Sequence, residues 1–149
     1  MALLSNTKDF LISGTKDFFK FDTYRKHDIR SRCDLVSVAE THVLWKTRLG
    51  YYIQGNIHEP LELSLVGQDG ICQLESWINS MVLEPFCDKE VYSQLIKSHQ
   101  QFHQFGALII EKLQAEDHVG AAIIFKNEYS LSLRRIIQSL TEINKQLQD

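Results

Sequence analysis

Proline and glycine are scarce in this chain of 149 residues, with two of the first and seven of the second. Long stretches are free of the residues that most often interrupt helices, and Pro60 and Pro85 both fall where helical periodicity lapses. Cysteine is equally sparse: Cys33, Cys72 and Cys87 are odd in number and irregular in spacing, which argues against a disulfide framework and for reduced thiols or a metal ligand. A basic excess is also missing. The formal charge is −3 with 23% charged residues, which speaks against a nucleic-acid binder built on a basic face and against disorder. No apolar run approaches the ~20 residues of a membrane span. The opening Met1-Ala2-Leu3-Leu4-Ser5 lacks the basic flank and apolar core of a signal peptide, so a cytoplasmic address is expected. The length suits one globular domain able to bury a core without disulfides.

What is present is helical periodicity. Asp34 is a suitable N-cap, and Leu35, Val38, His42, Trp45, Leu49 and Tyr52 step by three and four until Gly55 and Asn56 offer a stop. Residues 56–70, with Pro60, Gly67 and Gly70, read as a connecting loop with a short turn at most. Asp69 is placed to cap the next segment, where Cys72, Leu74, Trp77, Ile78 and Met81 predict a shorter helix carrying Cys72 on its inner face and ending near Glu84, before Pro85. A third helix is expected from Asp88, with Tyr92, Leu95, His99, Phe102, Gly106, Ile109 and Leu113 as its apolar stripe. A fourth comes after Asp117, with Tyr129, Leu133, Ile136, Leu140, Ile143 and Leu147 keeping a near-heptad step. The fold expected is all-α: a four-helix bundle over residues 34–149, with an additional N-terminal arm or helix extension over residues 1–33.

That arm is read differently. Thr7-Lys8-Asp9-Phe10 recurs as Thr15-Lys16-Asp17-Phe18, too short an echo for a repeat architecture, which needs units of roughly 20 residues. Lys20, Arg25, Lys26, Arg30 and Arg32 against Asp22 and Asp28 form either a solvated arm or a docking segment for an acidic partner.

The chemistry-bearing residues are few. His99 and His103 lie one helical turn apart, so both imidazoles project from one face. Alone this pair is a weak signal, because a core histidine is more often satisfied by a neighbouring carbonyl. Three separated segments agree, however: His42, Cys72 and His99 each place a polar or reactive group in an apolar stripe, where burial without a partner is costly. One shared ion relieves all of them. Three neutral imidazoles and a thiolate suit tetrahedral Zn²⁺, not the oxygen-seeking Ca²⁺ or Mg²⁺. Four protein ligands close the sphere, so no catalytic role is expected. Glu75, three residues after Cys72, is either an outer acceptor that balances the site's charge or an exposed helix carboxylate. Cys33 and Cys87 read as structural thiols, and His27, His58 and His118 as exposed.

The runs His42-Val43-Leu44-Trp45, Cys72-Gln73-Leu74-Glu75-Ser76-Trp77 and His99-Gln100-Gln101-Phe102-His103 resemble the chemoreceptor zinc-binding domain of bacteria, over roughly residues 34–147. The resemblance implies that His42, Cys72, His99 and His103 take the four metal-ligand positions and that Trp45 and Trp77 pack near them. Glu75 departs from the family pattern, which has Gly there. Members usually sit beside a chemoreceptor signalling region or a diguanylate cyclase, and no such module is present in these residues. The implied function is thus a stand-alone zinc-responsive or oxidant-responsive regulator, with Cys72 as the redox-sensitive group. It is expected to pair as a homodimer and to act in trans on a signalling protein, with no nucleic-acid partner. The alternative is a scaffold in which zinc is purely architectural.

Overall fold

The computed structural model describes residues 24–56 and 59–148, and among these every regular element is helical. The Thr7–Phe10 and Thr15–Phe18 echo, Lys20, Asp22 and His58 lie outside the described residues. Residues 24–32 form α1. They are followed by α2 (Leu35–Gln54), α3 (Gln73–Ser80), α4 (Lys89–Gln114), α5 (His118–Ile124) and α6 (Ser130–Gln146). A π-helical turn over Phe125–Tyr129 joins α5 to α6 into one rod.

Local chemistry sets the ends of the long helices. Asp34 accepts from Ser37 N at 2.9 Å, Asp88 from Glu90 N at 2.8 Å and Asp117 from Gly120 N at 2.8 Å, so three helices begin on an aspartate that satisfies an orphan amide. Gly55, at φ 77°, closes α2 in the left-handed conformation that a residue without Cβ adopts most cheaply. The π turn frees a carbonyl of the helical ladder, and Ser130 Oγ donates to Phe125 O at 2.6 Å.

The expected all-α bundle is what forms. α6 packs against both α4 and α2, and a 3₁₀ turn at Leu63–Val66 rests on α2. The expected stripes are buried: Leu35, Val38, His42, Trp45 and Leu49 on α2; Tyr92, Leu95, His99, Phe102 and Ile109 on α4; Leu133, Ile136, Leu140 and Ile143 on α6. Ile29 of α1 and Cys33 join this core, and Arg30 donates to the Leu147 carbonyl, tying α1 to the end of α6.

Two local expectations are corrected. Asp69 does not cap α3; its carboxylate accepts from Ile71 N at 3.0 Å, and Cys72 itself is the N-cap, extended at φ −141° and ψ 120°. Cys72 therefore stands at the mouth of the helix, with its sulfur still turned towards the core. α3 also ends well before Glu84, because Met81 adopts φ 59° and turns the chain; Pro85 lies in a separate 3₁₀ turn at Glu84–Phe86.

Candidate metal centre

His42 comes from the middle of α2, His99 and His103 from successive turns of α4, and Cys72 from the segment that crosses between those helices. Their donor atoms converge. Cys72 Sγ is 3.6 Å from His42 Nε2 and 3.4 Å from His99 Nε2, and His103 Nε2 is 3.0 Å from His99 Nε2. All four donors lie within 4.8 Å of one another.

These separations fit a metal tetrahedron. Bonds of about 2.0–2.1 Å to nitrogen and 2.3 Å to sulfur imply edges of about 3.3 Å between nitrogens and about 3.5 Å between nitrogen and sulfur. The two sulfur edges match, and the histidine edge is slightly shorter. Donor type agrees too, since imidazole nitrogen and thiolate sulfur select a borderline-soft ion.

Two of the imidazoles have a neighbour behind the ring, at Nδ1. His42 Nδ1 donates to Val38 O at 2.8 Å, within the same helix, which leaves the Nε2 lone pair free to face the cluster. His99 Nδ1 meets Glu75 Oε1 at 3.1 Å, although off the line of a good hydrogen bond. Gly67 and His103 line the same cavity. Rings complete the setting: Trp45 stands edge-on to His42 at 4.7 Å between centroids and to His103 at 6.0 Å, and Phe102 lies 5.4 Å from His42 and 5.3 Å from His103.

Burial sets the protonation states. His42 and His99 are almost wholly buried, and desolvation pushes them down to about 4 and about 3, with neighbouring imidazoles adding to the effect. Burial also lowers His103, against the opposing pull of the Gly67 main chain and Glu75. All three are thus neutral at pH 7, the form that carries a lone pair. Burial raises the Cys72 thiol, and the charges of Glu75 and Asp69 add to the rise while the main chain around Leu74 and Glu75 opposes it. Without a cation the thiol keeps its proton. The site is reachable: a 380 Å³ cavity lined by Gly67, Gln68, Cys72, Glu75, Gln100 and His103 opens onto the sulfur side.

The expected donors His42, Cys72, His99 and His103 are therefore brought together, and Trp45 backs two of them. Glu75 touches His99 while its own side chain stays 49% exposed, so the outer acceptor and the exposed carboxylate are the same residue. Trp77 is buried in the core but makes no ring contact with the three imidazoles. His27 and His118 are exposed, as expected. Spacing gave no notice of the Val38 main-chain contact, of Gly67 in the cavity beside His103 or of the Phe102 ring.

Comparison with known proteins agrees with this geometry. Residues 42–110 match the family model of the chemoreceptor zinc-binding domain, a span that begins on the first of the four donors and contains the others. No curated protein and no solved structure gives a significant match.

Proposed function

Starting from the chemoreceptor zinc-binding domain matched by residues 42–110, we propose that the chain is a zinc-binding regulatory protein whose metal is held by His42, Cys72, His99 and His103. The observation that carries this reading is the convergence of three imidazole nitrogens and one Sγ, from α2, α4 and the intervening segment, within 4.8 Å of one another. Bound there, the ion supplies cross-linking: it ties the Cys72 segment to two long helices that otherwise meet it through packing and a few side-chain hydrogen bonds such as Arg48 to Leu65 O and Tyr92 to Ile78 O.

The chain's own residues make the link responsive. His42 and His99 are locked by their surroundings, whereas Cys72 sits at a helix mouth, half-buried, facing the open cavity. It is the donor a small oxidant reaches. A peroxide transfers one oxygen atom to the Cys72 thiolate and leaves as water, converting a thiolate to a sulfenate and weakening one of four bonds. The segment 59–88 then repacks against α2 and α4, and a partner reads the difference.

The partner is proposed to be a signalling protein acting in trans, such as a chemoreceptor or diguanylate cyclase, with the chain paired as a homodimer in the cytoplasm. Among the described residues no helix is long and apolar enough to cross a membrane. With four protein donors no coordination position remains for water, so no catalytic step is proposed.

Native mass spectrometry of the purified protein, with and without peroxide, tests the reading. One zinc per chain is expected, lost on oxidation. Zinc that survives oxidant at picomolar free metal supports a purely architectural role instead, and Cys72→Ala is expected to bind weakly from the outset.

A further inference from the structure

Three described glycines, Gly55, Gly67 and Gly70, adopt left-handed backbone with φ of 77°, 74° and 84°. At Gly55 and Gly70 an added Cβ meets nothing within 4 Å, so only conformation calls for glycine there. Gly67 differs. A Cβ built on it falls 2.3, 2.4 and 2.9 Å from Trp45 Cδ2, Cε3 and Cε2, inside the contact distance of a rigid indole. The backbone of the crossing segment lies directly on the Trp45 ring.

The surroundings of Gly67 belong to the metal centre. Trp45 is edge-on to His42 and His103, and Gly67 lines the same cavity as His103. The rest of the segment is tied to this point. Val66 is fully buried, Gln68 N donates to Leu63 O at 2.8 Å, Arg48 Nη1 reaches Leu65 O at 3.3 Å, and Ile71 N is held by Asp69. The stretch from Leu63 to Cys72 is thus internally braced, and a shift at Gly67 is passed on to Cys72.

We infer that Gly67 is a positioning residue of the metal centre: its missing side chain lets the segment seat on Trp45, the ring that borders His42 and His103, and so brings Cys72 Sγ within reach of the histidines. The inference rests on the zinc reading above. It assigns to Trp45 a second role as the platform on which the thiol-bearing segment rests.

The test compares zinc affinity, by competition with a chromophoric chelator, in the wild type, Gly67→Ala, Gly70→Ala and Gly55→Ala, each also followed by far-UV circular dichroism. Gly67→Ala is expected to weaken zinc binding by about 10- to 100-fold, the range for outer-shell supports. The other two carry the same backbone strain without the ring and are expected to hold zinc as the wild type does. In a Trp45→Leu background, where the ring is gone, the Gly67→Ala effect is expected to shrink to that of Gly70→Ala. Should Gly67→Ala fail to fold, recovery of folding in the Trp45→Leu background supports the same conflict for space, and failure there too overturns it. A wild type that binds no zinc removes the metal reading and this inference with it. Zinc-binding wild type beside an equally tight Gly67→Ala, or a loss that persists undiminished in the Trp45→Leu background, overturns the inference alone.

Discussion

Cys72 Sγ and His99 Nε2 stand 3.4 Å apart, the separation of two donors on one zinc ion, while Glu75 from the same short helix reaches round to the far nitrogen of that imidazole at 3.1 Å. The N-cap and first turn of α3 thus flank His99 on both sides, with a sulfur near one nitrogen and a carboxylate near the other. The carboxylate favours an Nδ1–H tautomer, which presents the Nε2 lone pair towards the sulfur and the other histidines.

This arrangement sets the effect of Glu75→Gln. The amide removes the negative charge behind His99 and weakens its donor strength, without touching a donor atom of the metal. Zinc affinity is expected to fall about 10-fold, the low end of the range for outer-shell partners because Glu75 is half-exposed. Chelator competition at pH 7 checks it, and unchanged affinity would return Glu75 to a plain surface carboxylate.

The metal-free chain is expected to lose stability in acid. His42 and His99 titrate at about 4 and about 3 in the fold against 6.5 when unperturbed, so the unfolded chain binds protons that the folded chain refuses. Above pH 6.5 the two states hold the same protons at these sites and stability is at its full value. As pH falls from 6.5 towards 4 it declines, by about 1–2 kcal/mol from His42 alone at pH 5. Urea midpoints of apoprotein at pH 7.5 and pH 5 measure this. A midpoint that does not fall contradicts the neutral, buried histidines.

The three thiols should separate by reactivity. Cys33 is 4% exposed, and Cys87 is pushed up to about 12 by burial and the nearby Glu84 charge, with Sγ donating to Leu83 O at 2.9 Å. Cys72 faces the cavity. In metal-free protein iodoacetamide is expected to label Cys72 at least about 10-fold faster than Cys87: both thiols are raised by burial, but Cys87 is raised as far as about 12 and is engaged by Leu83 O, while Cys72 opens onto the cavity. Peptide mass mapping over time reads the order, and zinc is expected to slow only the Cys72 reaction.

Tyr129 supplies a packing test away from the donors. Its ring stacks on Phe102 at 4.6 Å, and Phe102 in turn packs on two of the site histidines. The Tyr129 hydroxyl is buried without a partner. Tyr129→Phe keeps the stack and removes the unsatisfied group, so it is expected to be neutral or stabilising by up to about 1 kcal/mol. Tyr129→Ala opens a cavity and is expected to cost about 3–5 kcal/mol in urea unfolding.

Much of this architecture was legible because its causes are local. Asp34, Asp88 and Asp117 satisfy amides a turn away, and the stripes of α2, α4 and α6 follow a single period, so helix ends and buried faces could be read directly from spacing. The His99 and His103 pair was equally plain, being fixed by one helical turn. Cys72 was harder. Its spacing to Leu74, Trp77 and Met81 imitates a helical face, but Asp69 is engaged by Ile71 N and the chain is still extended at Cys72. Gly67 was legible only as a loop residue, since the demand for glycine there comes from an indole distant in sequence that only the fold brings beneath it. The π turn at Phe125–Tyr129 leaves no mark either, as apolar residues recur on both sides of it.

Zinc X-ray absorption spectroscopy on the metal-loaded protein bears most directly on the central claim. A coordination shell of one sulfur at about 2.3 Å and three nitrogens at about 2.0–2.1 Å is expected, with the sulfur vanishing in Cys72→Ala. A wild-type shell of nitrogen and oxygen alone, or a sulfur that remains when Cys72 is gone, would contradict it.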